Sequence, residues 1–364
     1  MKLIPVVVSM MVSSSLYAQD ISIKGTITHK VKSKINAENR TIALDKFREI
    51  KLLKVKFSEK AKSELLAKAN DALAHRNQFA TNAVTINRKL PSQIQLGMND
   101  VPVLDQGNFG TCVTFATTAA VDAALGKGDY ISQLCQLQVG NYLADNGYGL
   151  SGWDGSFGRL VLGQMDNFGM VSKAQEEKVG CGDLYQYPSS GSIPTSSISL
   201  DDYHQISEPL NTISWSSILD PLQASDRIDT NKTLSEVKSS LVDGERVTFG
   251  TILLDFDLGF VGAVGTKNST YDTWVLTPEI ARDVYMRPFF GGHEMVITGY
   301  DDDAIAVDEE GRKHQGLLTL RNSWGEQVGD HGDFFMSYDY FKLLVIEAQR
   351  IRVLEELDDD VEKS

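Results

Sequence analysis

Between Gln106 and Ala116 the chain reads Gln-Gly-Asn-Phe-Gly-Thr-Cys-Val-Thr-Phe-Ala. A glycine-rich turn runs directly into Cys112, and an Ala/Val-rich helical pattern follows as far as Leu125. Phe115, Ala116, Ala119, Ala120, Ala123 and Ala124 fall on one packed face, and Gly126-Lys127-Gly128 places glycines where a helix end wants them. A thiol in the first turn of a helix sits among unpaired N–H groups at the positive end of the helix dipole. Both favour thiolate over thiol, so Cys112 is a candidate nucleophile. Gln106 lies six residues upstream and can fold back to aim its amide N–H at the reacting centre. Such a thiol needs a base and a group to orient that base.

The chain has 364 residues, 42% of them apolar, enough for one large domain or two small ones. A formal net charge of −14 argues against binding to nucleic acid or to an anionic membrane. Met1–Ala18 reads as a secretory signal: Lys2, an apolar run from Leu3 to Val12, then a small-residue exit. That run is too short for a bilayer span, which needs roughly 20 residues. The expected location is therefore secreted or periplasmic, with no membrane span. Cysteines stand at 112, 135 and 181. If Cys112 stays free, Cys135–Cys181 is the intramolecular bridge that spares it, the alternative being two buried thiols.

Ile21, Ile23, Ile27 and Val31 alternate with polar residues as in a half-buried strand, and further strand runs occur between Thr41 and Phe57. Asn36–Asn39 is a turn cluster, so the two form a hairpin. Ser58 caps a helix whose face runs through Ala61, Leu65, Leu66, Ala69 and Leu73 to about Phe79. This basic unit is too small to stand alone. Thr81–Asp100 is polar, carries Pro91 and Gly97, and reads as a linker and processing region. Helical patterns follow around Ser132–Ala144 and Ser156–Phe168, then a Ser/Pro/Gly-rich loop from Pro188 to Leu200. After that come a short helix at Leu234–Val242 with Thr233 or Ser235 near its cap, a strand at Val247–Leu254, and a Gly-rich loop at Gly259–Thr270. The chain ends with strands at Glu294–Tyr300, Leu317–Arg321, Asp333–Ser337 and Ala348–Val353. A helical half followed by a β half predicts an α+β fold with a cleft between two lobes.

Six histidines could serve as the base. His29, His75, His204 and His314 have surface-like contexts, and His331 lies in a Gly-rich turn. His293 differs: Gly291-Gly292 precede it and an apolar strand follows, so a backbone can come close and the ring is held rigidly. His293-Glu294 opens like a zinc-peptidase helix, but Ile occupies position 297, where the second histidine would have to stand. No metal or other cofactor is expected. Farther on, Arg321-Asn322-Ser323-Trp324-Gly325 leaves a strand. Asn322 can accept a hydrogen bond from imidazole, and Trp324 can cover that bond.

The three segments, in the order Cys, His, Asn, resemble the papain family of cysteine peptidases. The resemblance extends from about Pro91 to Val353 and is strongest at Gln106–Ala116, Gly291–Asp301 and Asn322–Gly332. It implies a papain-like fold, a helical lobe followed by an antiparallel β lobe. It also implies that Cys112 is the nucleophile, that His293 is its base and later acid, and that Asn322 orients His293. The Gln106 side chain and the Cys112 N–H would form the oxyanion hole. The Cys–His pair is expected to be ionic at neutral pH. Gly155, in Trp153-Asp154-Gly155-Ser156, and Trp324 are carried as substrate-contact candidates. The chain departs from the family at Val113, Phe109 and Val328, at a Cys112-to-His293 spacing longer than the usual roughly 130–150 residues, and in lacking the common precursor helix motif.

The expected organisation is a signal at 1–18, a pro-segment and linker at 19–88, a peptidase domain at 89–355 and an acidic tail at 356–364. The expected activity is hydrolysis of peptide bonds in a protein or peptide substrate, with the chain's own N-terminal segment blocking the cleft of the precursor. The competing readings are a silent papain-like binding protein and a thiol amidase or acyltransferase on a non-peptide substrate.

Overall fold

The computed structural model describes residues 20–33, 46–74, 90–222, 228–254, 272–308 and 310–354. The expected signal, the 36–39 turn, the 259–270 loop and the acidic tail lie outside the described residues. Among those described, no helix is long and apolar enough to cross a membrane.

The fold is α+β and is built around one helix and one strand. α2 (Cys112–Leu125) is buried all round from Cys112 to Ala123. Its alanines let the backbone come close to the sheet, and Gly126 ends it in the left-handed conformation at φ 64°. It packs on β5 (Arg246–Leu253) and β7 (Phe290–Val307). β5 is buried along its whole length and β7 from Phe290 to Tyr300, as near-continuous apolar runs require in a sheet covered on both faces.

The sheet runs β4–β10–β5–β7–β8–β9–β6, with β4 Ile213–Leu219, β8 Lys313–Arg321, β9 Asp333–Ser337 and β10 Val345–Val353. All neighbours are antiparallel except the short β6 (Thr273–Trp274), which runs parallel to β9. The helical lobe adds α3 (Gln133–Asp145), α4 (Gly158–Phe168), α5 (Lys173–Val179) and α6 (Leu200–Ile206). Cys135 on α3 and Cys181 beyond α5 form a disulfide with a Cα–Cα distance of 5.2 Å. Trp153, Leu137, Val171 and Tyr203 pack around it as a small separate core.

At the N-terminus, β1 (Ile21–Ser33) and β2 (Lys46–Phe57) form a hairpin, and α1 (Glu59–Ala74) follows. Ser58 Oγ accepts from the Ala61 N–H at 3.1 Å and caps α1. β2 extends the sheet by pairing Leu53, Lys54 and Val55 with Gly292, Gly291 and Phe290 of β7. α1 lies against α8 (Pro278–Met286) and α9 (Tyr338–Leu344).

Several sequence expectations shift. The linker read between Thr81 and Asp100 contains a strand, β3 (Gln93–Gln95), on the far end of β7. α4 begins at Gly158 rather than Ser156. α7 (Thr230–Val242) begins one turn earlier than expected, because Asp229 caps it by accepting from the N–H groups of Asn231 and Lys232. β4, α5, α6, α8 and α9 are absent from the sequence expectations. His314, read as a surface residue, is buried between Asp308 at 3.3 Å and Asp339 at 3.2 Å.

Candidate active site

Cys112 is the first residue of α2 and is fully buried. Thr111 precedes it without capping the helix, because its hydroxyl is engaged by the Tyr187 hydroxyl at 2.9 Å. The first-turn N–H groups therefore stay directed at the thiol. Burial pushes the Cys112 thiol up to about 12, while the N–H groups of Glu294, Val113 and Cys112 pull it the other way. α2 packs on β7, so Cys112 at the start of the helix and His293 near the start of the strand face one seam.

His293 Nε2 donates to Asn322 Oδ1 at 2.8 Å. Asn322 Oδ1 also accepts from the Ser323 N–H at 2.7 Å, which locks the acceptor in place. Nδ1 is then the unprotonated ring nitrogen, and it is buried with no hydrogen-bond partner. The Trp324 indole stacks on His293 with centroids 4.5 Å apart at 26°, and Phe334 supports it edge-on at 5.6 Å. Burial holds the imidazole down at about 4, with the Asn322 hydrogen bond opposing that shift. Both groups are buried, and desolvation works against the charged form of each.

Gln106 is fully buried beside the turn. Its Nε2 donates to the Phe109 carbonyl at 2.8 Å, and its Oε1 accepts from Ser323 Oγ at 2.8 Å. Its backbone N–H donates to the Ser323 carbonyl at 2.9 Å. The Cys and Asn segments are thereby fastened to one another. Phe109 meets Trp153 edge-on at 5.2 Å, and Trp153 stacks on Tyr187 at 5.6 Å. This aromatic cluster braces the turn.

The N-terminal hairpin lies on the same seam. Gly155 has φ 113°, and a Cβ there would stand 2.7 Å from Leu53 and 3.1 Å from Ile23. A Cβ at Gly110 would stand 2.5 Å from Thr26. Arg48 pairs with both oxygens of Asp105 and donates to the Trp324 carbonyl at 2.8 Å. Sequence reasoning missed Arg48, Tyr187, Ser323 and Glu294. Glu294 alone carried a signal, as a charge inside an apolar strand. Among the described residues no group of three or more His, Cys, Asp or Glu side chains is placed to hold a metal ion.

Residues 231–360 match the model of the Peptidase C1-like family, a span that holds His293, Asn322 and Trp324 and begins after Cys112. The chain resembles the papain-like cysteine peptidases. Among solved structures it is similar to xylellain, a cysteine protease from Xylella fastidiosa, at 20% identity and a TM-score of 0.46, covering 73% of this chain and 88% of that one. It is also similar to digestive procathepsin L 3 of the Tenebrio molitor larval midgut, at 18% identity and a TM-score of 0.45, covering 80% and 79%. A third is the proform of the ragweed pollen cysteine protease Amb a 11, at 16% identity and a TM-score of 0.42, covering 79% and 73%. No curated protein matches the chain by sequence. In this chain the Cys segment comes from the helical part and the His and Asn segments come from the sheet.

Proposed function

We propose that this chain is an exported cysteine peptidase, made as a precursor that its N-terminal hairpin keeps closed, and that Cys112, His293 and Asn322 carry the chemistry. The reading rests chiefly on the His293–Asn322 bond of 2.8 Å under the Trp324 ring, with a helix-start thiol against the next residue of the same strand. Asn322 fixes the tautomer, so Nδ1 is the site that takes the thiol proton. The sulfur attacks the peptide carbonyl carbon, and the proton passes from Nδ1 to the leaving amine. Water then attacks the thioester, giving its proton back to His293, and the thiolate leaves. A carboxamide has two N–H donors. Phe109 takes one from Gln106, and the other is available to the oxyanion together with the Cys112 N–H. Losing such a donor costs about 10²–10³ in rate.

The closed precursor reading is supported by the hairpin's position. β2 occupies the edge of β7 up to Gly292, and Leu53 and Ile23 fill the space over Gly155. An extended substrate needs that same strip. Incubation under mildly acidic, reducing conditions should shorten the chain to a start between Thr81 and Asp100. An epoxide thiol probe should then label Cys112, and His293→Ala should abolish the labelling. Probe that never reacts after removal of the N-terminal unit sinks the enzyme reading. Turnover of non-peptide amides without peptides would replace it with the amidase reading.

A further inference from the structure

The loop beyond Cys181 brings one side chain to both ends of the turn that carries the thiol. Tyr187 Oη donates to the Gln106 carbonyl at 2.8 Å. The same hydroxyl is bonded to Thr111 Oγ1 at 2.9 Å. A phenol has a single proton, and the Gln106 carbonyl takes it, so Thr111 is the donor in the second bond. Burial raises the proton affinity of the Tyr187 phenol, which therefore keeps that proton. Gln106 carries one oxyanion donor on its side chain. Thr111 immediately precedes Cys112, whose N–H is the other.

The ring that carries this hydroxyl is walled in by aromatic side chains. Trp153 stacks on it at 5.6 Å and 6°, Phe115 of α2 meets it edge-on at 4.9 Å, and Phe109 of the turn itself meets it edge-on at 6.0 Å. Tyr187 packs against both hydrophobic cores. The backbone beyond it follows the turn: the Asn108 N–H donates to the Ser189 carbonyl at 3.1 Å. Gly107 has φ 59°, and a Cβ there would stand 2.2 Å from that same carbonyl oxygen. The Cys135–Cys181 bridge anchors this loop upstream. None of these contacts is made by the N-terminal hairpin, so they persist when it leaves.

The donors of an oxyanion hole must stand about 2.7–3.1 Å from the oxyanion. A displacement of about 1 Å can cost about 10²-fold in rate. The bonds of the Gln106 side chain to Phe109 and Ser323 orient its amide. The link through Tyr187 sets how far Gln106 stands from the start of α2. A hydroxyl buried for packing alone needs one partner; this one ties together the two residues whose separation the chemistry depends on.

We propose that Tyr187 is a positioning residue for the hydrolysis: its hydroxyl holds Gln106 and Thr111 at the separation that brings the Gln106 amide and the Cys112 N–H onto one oxyanion. The inference rests on the peptidase reading above and adds to it the residue that sets the oxyanion site.

The test uses the full-length chain after its own processing. Tyr187→Phe keeps the ring and its aromatic neighbours and removes only the hydroxyl. On a peptide substrate kcat should fall about tenfold with KM unchanged, because the oxyanion exists only after attack. A peptide aldehyde accepts the sulfur at its carbonyl carbon and places its oxygen in the oxyanion site, so it should bind about tenfold more weakly. Iodoacetamide should alkylate Cys112 at an unchanged rate at the high-pH plateau, where the thiol is fully ionised. Displacement of iodide from a saturated carbon forms no oxyanion. Thr111→Val breaks the link at its other end and should show the same split, and Thr111→Ser, which keeps the hydroxyl, a smaller one. Should melting curves show that Tyr187→Phe does not fold, the Thr111 pair decides. Unchanged kcat and aldehyde affinity overturn the inference. So does a parallel fall in alkylation, which would mean a general loosening of the site. If the wild type hydrolyses peptides and Cys112 is labelled, that failure leaves the peptidase reading intact. A processed wild type that neither hydrolyses peptides nor is labelled at Cys112 overturns both.

Discussion

Asn322 makes two hydrogen bonds through one oxygen, to the His293 ring and to the Ser323 N–H. Replacing it with alanine leaves a buried imidazole N–H without an acceptor, which costs about 1–3 kcal/mol. It also frees the ring to take the other tautomer. Asn322→Ala should therefore lower kcat of the processed chain by about 10²-fold, with stability measured separately by urea unfolding. His293 makes a second prediction, this one about pH. Its folded value of about 4 lies below the ordinary 6.5, so the neutral ring contributes stability above pH 6.5, and that contribution is lost as pH falls toward 4. The buried Glu294 and Glu347 carboxyls work in the opposite direction, since their raised values favour the folded state at low pH. The histidine effect must thus be read as a difference. Urea unfolding of the full chain, compared with His293→Gln, should show the wild type losing about 3 kcal/mol relative to the variant between pH 6.5 and 4. A difference that stays constant with pH would mean that the ring is solvated.

The β1–β2 hairpin is held to the seam by pairing with β7, by Leu53 and Ile23 on Gly155, and by Arg48. Arg48 is the polar fastening. Its guanidinium binds Asp105, next to Gln106, and the Trp324 carbonyl, so it touches both segments that frame the thiol. The ion pair is partly exposed, with side-chain exposures of 25% and 47%, and by itself is worth no more than about 1 kcal/mol. The carbonyl bond adds about as much. Arg48→Ala should raise the rate of Cys112 labelling in the unprocessed chain about tenfold. Arg48→Lys should fall between, because an ammonium cannot form the two-pronged contact. Equal labelling rates for all three proteins would mean that the hairpin opens without breaking this contact. The hairpin itself was legible from its alternating apolar residues. Its landing place was not, because β2 and β7 lie more than two hundred residues apart and strand pairing leaves no local trace. β4 was missed for a different reason: Ile213–Leu219 is serine-rich and, among the described residues, pairs only with β10 at the sheet's edge, so its middle stays partly exposed. α5 and α6 have seven residues each, too few for a helical period to register. α8 carries a readable signal, with Thr277 as cap and Pro278 in the first turn, that the hydrophobic pattern alone does not use.

The residues brought together at the seam were more legible than the architecture that brings them there. Cys112, His293 and Asn322 sit in segments whose glycines, strand pattern and tryptophan have to occur together, whereas Glu294 and Glu347 become a pair only once β5 brings them side by side. Across the molecule, stability is divided unevenly. One large core joins α2, the sheet and the N-terminal unit. A second, much smaller core lies in the helical lobe around Leu134, Leu137, Trp153 and Tyr203. Buried polar side chains supplement it: Gln136 donates to the Tyr203 hydroxyl at 2.8 Å, and Asn141 to the Ser196 carbonyl at 2.8 Å. A core that small gains from a covalent staple, and the Cys135–Cys181 bridge closes a loop of sequence separation 46 through its middle. Bridges across such loops are typically worth about 2–4 kcal/mol. Cys135→Ser with Cys181→Ser should lower the unfolding free energy by that amount, and hydrogen exchange should show α3 losing protection before β5 and β7. Trp153 and Phe109 join this small core to the turn that carries Gln106 and Cys112, so the double variant should also label less selectively at Cys112 under warming. Uniform loss of protection in both lobes would instead mean that the seam unfolds as one unit and that the staple serves the whole chain.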